Sequence, residues 1–281
     1  MKWIGKIFLY ILAILSIAPV ILIATGSLMG NVELTSLLQP VLGEREGYAT
    51  WHLIPLYPTF KNMVELILDT PDYYVLFWNS VKVVLAILVG QILFAVPTAW
   101  GIAQNRHRWG KWMFYLYLFC MLLPFQVTML SQYLVLDKLS LVNTHLSLIL
   151  PLMFSTFPVF IIYQSFIQIP ETVVDAAKVD GANAFQIYLH IGVPMSMQGI
   201  MAAMVLGFLE YWNMVEQPVV FLKEKNLWTL SIFIPEINGE NVGVAFAYSL
   251  FSILPAILVF WLGRELLEQG IMAQGSLENE K

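Results

Sequence analysis

The 281-residue chain is 59% hydrophobic and 12% charged, about half the charged share of an ordinary soluble domain. A single soluble core of this length cannot bury that much apolar surface, so a soluble enzyme, a disordered chain and a fibrous protein are excluded. The net charge of −5 gives no reason to expect a nucleic-acid partner, and the single cysteine, Cys120, excludes a disulfide framework and any multi-cysteine metal site.

The composition fits an all-α, polytopic membrane protein with six transmembrane helices. Stretches of roughly 20 residues nearly free of Asp, Glu, Lys and Arg are long enough to cross a bilayer. In chain order they fall at about 7–29, 73–103, 112–136, 141–168, 196–222 and 242–264. The first follows Lys2 and Lys6. Its apolar run exceeds the ~7–15 residues of a signal-peptide core, and five more spans follow it, so it is read as a retained helix. Lys82 in the second span either lines a polar path or snorkels from near the outer end. No short repeat or low-complexity linker divides the chain, and residues 1–281 are read as one transmembrane domain.

Six spans put both termini on one side. With that side cytoplasmic, the inner positions hold Lys2, Lys6, Arg106, Arg108, Lys111, Lys178, Arg264 and Lys281, against Arg45, Lys61, Lys138, Lys223 and Lys225 outside. The tight cluster at 106–111 would otherwise have to be translocated, so the positive-inside rule favours cytoplasmic termini. Tyr73, Tyr74, Trp78 and Trp228 are expected in an outer aromatic belt, and Trp109 and Trp112 in an inner one. The methionines are expected only to pack. The long loop from Gly30 to Asp72 then lies outside, and the loop at 169–195 lies inside.

That inner loop is the most ordered stretch of sequence outside the spans. Pro170 halts the preceding helix. Thr172, with Asp175 three residues on, reads as a capping box, and Gly181 reads as a left-handed C-cap. Val173, Ala176, Ala177 and Asp180 are expected on one small face of the first helix. Asn183 can cap a second helix whose apolar face is Ala184, Ile187, Tyr188 and Ile191, with Pro194 ending it. On these features alone the loop is either a plain connector or a cytoplasmic docking knob.

The same stretch resembles the "EAA" loop of the permease subunits of binding-protein-dependent ABC importers. That pattern runs E-A-A-x-x-D-G-A and, after about eight residues, I-x-L-P. This chain has Asp175-Ala-Ala-Lys-Val-Asp-Gly-Ala182 and then Ile191-Gly-Val-Pro194. Asp175 replaces the usual Glu and Val193 the usual Leu. Further stretches are similar to the second, six-span permease of maltose-type sugar importers. They are Asn79-Ser80, Leu123-Pro-Phe-Gln-Val127, Leu141-Val-Asn-Thr144, Phe166-Ile-Gln-Ile-Pro170, Tyr211-Trp-Asn213, Pro218 and Leu227-Trp-Thr-Leu230. The likeness runs over roughly residues 5 to 275.

The resemblance implies a type I ABC importer permease fold in a bacterial or archaeal plasma membrane, carrying a sugar inward by alternating access. It implies that Asp175, Ala176, Ala177, Asp180, Gly181 and Ala182 form the coupling helix that seats in an ATPase subunit. Ala177→Glu is then expected to break assembly by adding bulk and a buried charge. The implied partners are a second permease in a heterodimer, an ATP-binding subunit dimer, an extracytoplasmic substrate-binding protein and the membrane lipid. ATP and Mg belong to the ATPase, and no cofactor is expected in this chain. No G-x-x-x-x-G-K-[ST] occurs, so hydrolysis has to come from another chain. His52, His107, His145 and His190 lack metal-site spacing and no G-x-S-x-G marks a nucleophile.

Glu210 and Glu216 lie in the fifth span with Tyr211, Trp212 and Asn213. Acidic residues within spans are costly and mark polar paths. These five are either the lining of a translocation path or an interfacial and interhelical set. The tail from Glu265 to Lys281 is either a frayed terminus or an arm toward the ATPase. Alternative functions are an ABC permease for another solute, such as glycerol phosphate or a peptide, and a secondary transporter.

Overall fold

The computed structural model describes residues 2–42, 46–105, 108–233 and 241–275, and every regular element among them is helical. The chain packs as two compact units, Met1–Leu76 with Phe233–Pro255 and Phe77–Ile232 with Ala256–Lys281.

In the first unit, α1 (Lys2–Ser27) is followed by α2 (Asn31–Leu38) and α3 (Lys61–Asp69). The loop read from the sequence at 30–72 therefore contains two helices. A buried side chain anchors it. Asn62 donates to the carbonyls of Ser27 at 3.1 Å and Met29 at 2.7 Å, groups left open where α1 ends. Met29, Leu34, Leu37 and Val242 form the small core beside Trp51 and Phe246. Tyr73 is 6% exposed and packs edge-on against Tyr74 and Tyr248, so it does not join an exposed aromatic belt. Tyr74 is exposed as expected of a belt residue, and so are Trp78, Trp109 and Trp112 of the second unit.

The second unit holds most of α4 (Pro71–Gln104), then α5 (Arg108–Met121), α6 (Phe125–Lys138), α7 (Leu146–Met153) and α8 (Thr156–Phe166). The connection at 169–195 forms α9 (Glu171–Val179), α10 (Ala184–Ile187), a π-helical turn (Tyr188–Gly192) and α11 (Val193–Met195). After it come α12 (Met197–Trp212), α13 (Glu216–Phe221) and the later part of α14 (Val242–Gly275). Four helical stretches are long and apolar enough to cross a membrane, and six spans result when two bent pairs each count as one.

Three spans depart most from their hydropathy boundaries. The third is broken, with α5 and α6 meeting at 96°. Pro124 caps α6 with an extended ψ of 148° and supplies no N–H to continue α5. The fifth stops at Trp212, ten residues before its apolar run ends, and α12 meets the 184–195 segment at 70°. Asn213 closes α12 by donating to the Leu209 carbonyl at 2.8 Å. The sixth runs on as α14 to Gly275, so the stretch from Glu265 is helical that far, and the last six residues lie outside the described ones.

Helix α12 is the hub. Gly199, Ala203 and Gly207 repeat every fourth residue, so they share one face, and all are buried. Stripes of small residues let helices approach closely inside a membrane. Side chains of α8 and α4 occupy that space, with Ser165 against Gly199, and Leu88 and Gln91 against Gly207. The main core gathers Ala99, Ile102, Val159, Ile162, Phe166 and Ile200 around this junction.

Candidate functional site

Helix α9 starts directly at Pro170, whose φ of −61° and ψ of 136° make it the N-cap. Thr172 is therefore inside the first turn, and the expected Thr172/Asp175 box does not form. With Pro170 as the N-cap the helix starts at Glu171, two residues earlier than a Thr172 cap would start it. Asp175 instead pairs with Lys178 at 2.9 Å on an exposed face, which contributes little stability.

The C-terminal expectations hold. Gly181 has a φ of 87°, the Ala182 N–H donates to Ala177 O at 3.0 Å, and the Gly181 N–H donates to Lys178 O at 3.1 Å. This is the double bond of a Schellman cap. Two residues later, Asn183 and Gln186 exchange side-chain and backbone hydrogen bonds, both at 2.9 Å, in a complete capping box. Two adjacent caps fix the angle between α9 and α10, and a groove of about 360 Å³ lies in the crook beside Asp180, Gly181, Gln186 and His190. Gly181→Ala should cost about 1–2 kcal/mol at this left-handed position. Amide exchange over 171–183 is expected to quicken about tenfold, while Gly181→Asn stays near the native rate. Equal protection in the alanine variant would contradict the cap.

The faces of α9 divide differently from the sequence expectation. Val174 is 5% exposed and Ala177 packs with it against the main core. Val173, Ala176, Val179 and Asp180 point out, with Val179 87% exposed. Ala177 thus belongs to the inner side, because the hinge at Pro170 sets the rotation of α9 about its axis. Of the residues singled out in the loop, Asp175, Ala176, Asp180 and Gly181 are exposed, and Ala177 and Ala182 are half-buried. The second helix turns Ile187 inward, and its π turn lies on Trp100, which fills the space a side chain on Gly192 would need.

The fifth-span residues also separate. Glu210 is exposed and lines a cleft of about 450 Å³ formed by α5, α6, α7, α8, α12 and α13. Tyr211 and Trp212 are 3% and 4% exposed, so they support the cleft rather than line it. Trp212 stacks on Phe208 with centroids 5.5 Å apart and meets Phe77 edge-on. Tyr211 receives a hydrogen bond from Gln91 Nε2 at 2.7 Å and is bonded to Ser155. Asn213 is exposed at the helix end. Glu216 starts α13 and accepts a hydrogen bond from Gln126 at 2.6 Å. The break at 213–215 is what parts Glu216 from Glu210.

Two polar groupings have no counterpart in the hydropathy reading. Gln91, fully buried, also donates to Leu152 O at 2.9 Å, next to the break between α7 and α8. One uncharged side chain thereby ties the interruptions in two spans, and its only signal is a glutamine inside an apolar run. The other grouping clamps the segment 222–230. Asn143, at φ 64°, accepts from the N–H groups of Lys223 and Glu224 at 2.9 and 3.0 Å. Asn79 donates to Asn226 O and Trp228 O, and Ser80 accepts from the Leu230 N–H at 2.7 Å. The Asn79-Ser80 and Leu141-Val-Asn-Thr144 stretches thus act together although far apart in sequence.

Residues 91–271 match the family described as binding-protein-dependent transport system inner membrane component. The arabinooligosaccharides transport system permease protein AraQ of Halalkalibacterium halodurans is 26% identical over 278 residues, covering 98% of this chain and 96% of that protein. The sn-glycerol-3-phosphate transport system permease protein UgpE of Brucella abortus is 29% identical over 211 residues, covering 73% of each. A chain of a bacterial ABC transporter involved in the import of the acidic polysaccharide alginate shares the fold. It aligns with a TM-score of 0.79 and 19% identity over 94% of this chain and 95% of that one.

Proposed function

Because the chain belongs to the family of binding-protein-dependent transport system inner membrane components, we propose that it is a permease subunit of an ATP-driven importer for a sugar or oligosaccharide. A binding protein outside the cell delivers the solute, this chain and a second permease pass it inward, and a separate ATPase dimer binds ATP and Mg. The observation that carries the reading is the loop at 169–195. It presents a doubly capped helix with Ala176, Val179 and Asp180 outward, while Val174 and Ala177 anchor it to the helices of the spans. A knob with small, exposed outer residues and a rigid base can transmit a push from a partner to those helices. The basic residues at 106–111 and Lys178 support placing this loop and both termini in the cytoplasm. Glu210, Asn213 and Glu216 are the exposed polar groups that support a path along α12 and α13.

Sugar is favoured by the near full-length likeness to an arabinooligosaccharide permease. The shorter likeness to a glycerol-phosphate permease favours an anionic solute as a second reading. The experiment is a pull-down of the tagged chain from gently solubilised native membranes. A P-loop ATPase and a second hydrophobic subunit are expected to copurify. Recovery of this chain alone would overturn the assignment.

A further inference from the structure

The cleft beside Glu210 has one sign of charge. Among the described residues that line it there is no lysine or arginine. Its other polar groups are neutral hydroxyls and amides, among them Thr128, Gln132, Ser155 and Gln217. Glu216, the other carboxylate of this region, accepts from neutral Gln126, and among the described residues no lysine or arginine pairs with it. A cleft whose walls mix neutral polar and apolar side chains, with one carboxylate among the described lining residues, focuses the field of that carboxylate on whatever enters. A phosphate or uronate would meet repulsion there with no counter-charge. A polyol would donate hydroxyl protons to the carboxylate, a charge-assisted bond stronger than a neutral one. The phenyl rings in the same wall offer apolar contact to a sugar ring.

We propose that this cleft admits uncharged, hydroxyl-rich solutes and disfavours phosphates and uronates, with Glu210 as the selecting residue. The proposal rests on the reading of the chain as a permease with a water-filled path, and it decides between the neutral and anionic solutes left open above.

The chain carries its own reporter. Cys120, its single cysteine, is exposed and lines the same cleft. In the assembled complex in native membranes, Cys120 is treated with two methanethiosulfonates of similar size, one ending in trimethylammonium and one in sulfonate. In both, the thiolate displaces a sulfinate and forms a mixed disulfide, so thiol reactivity cancels from the ratio. Rates are read by mass spectrometry of the Cys120 peptide and normalised to a free thiol. The cationic reagent is expected to react about tenfold faster or more. The isosteric Glu210→Gln variant should bring the ratio to within about twofold, and Glu210→Lys should invert it. A wild-type ratio near one, or a ratio unchanged by Glu210→Gln, overturns the charge selection while leaving a hydrated path. A Cys120 that neither reagent modifies, with or without ATP, overturns the path reading itself and the selection with it.

Discussion

Ala176→Glu is expected to strip the ATPase subunit from the purified complex while this chain accumulates and folds normally. Ala176 is exposed on the outward face of α9, so a longer side chain there can extend into solvent in the free chain. Within a docked interface the same carboxylate would be desolvated without a partner, beside Asp175 and Asp180. Burying an unpaired charge costs several kcal/mol, and about 3 kcal/mol already weakens binding more than a hundredfold. The Ala177 substitution suggested by the sequence is a poorer probe. Ala177 packs inward on the main core, so a glutamate there would disturb the loop whether or not a partner docks. Native yield of ATPase with Ala176→Glu would contradict the assignment of this face.

The second large effect is expected at Gly199. A Cβ at this position would collide with Cβ and Oγ of Ser165, across the most extensive helix pairing among the described elements, α8 with α12. Gly199→Leu should therefore force the two helices apart, at a cost of about 3 kcal/mol, the upper end for overpacked cores. The expected readings are a lower melting temperature in detergent and reduced accumulation in the membrane. Gly199→Ala should do the same more mildly, and Ser165→Gly in the same chain should recover most of the loss. That non-additivity, of about 1 kcal/mol or more, is the mark of a direct contact. Additive effects, or a Gly199→Leu protein as stable as the parent, would mean that the pairing is not as close as described.

What the sequence makes legible is what is local. Apolar length marks the spans, because the bilayer imposes it. The Gly181 and Asn183 caps are readable because the hydrogen bonds of a helix end close within a few residues. The breaks are less so. Pro124 and Asn213 interrupt runs that hydropathy treats as continuous, since a window average does not register a missing donor or a closing side chain. The rotation of α9 is a tertiary fact. Val173 and Val174 are chemically alike, and only packing on the core decides that Val174 turns in. Tyr211 and Trp212 read as path residues because they are polar-tipped and sit beside Glu210. The structure gives the tyrosine hydroxyl to Gln91, 120 residues away, and the tryptophan ring to Phe208 and Phe77. No spacing rule connects Tyr211 with Gln91 or Trp212 with Phe77, whereas Phe208 lies at the i, i+4 helical spacing from Trp212.

The central claim is that this chain moves solute only when another subunit hydrolyses ATP. It is tested most directly by reconstituting the copurified complex in liposomes and following uptake of whichever labelled sugar its binding protein retains, with that binding protein present, with and without ATP. The account predicts uptake with ATP, none without it, and none after the P-loop lysine of the ATPase is replaced. Uptake that persists without ATP, driven by an ion gradient through this chain alone, would contradict it.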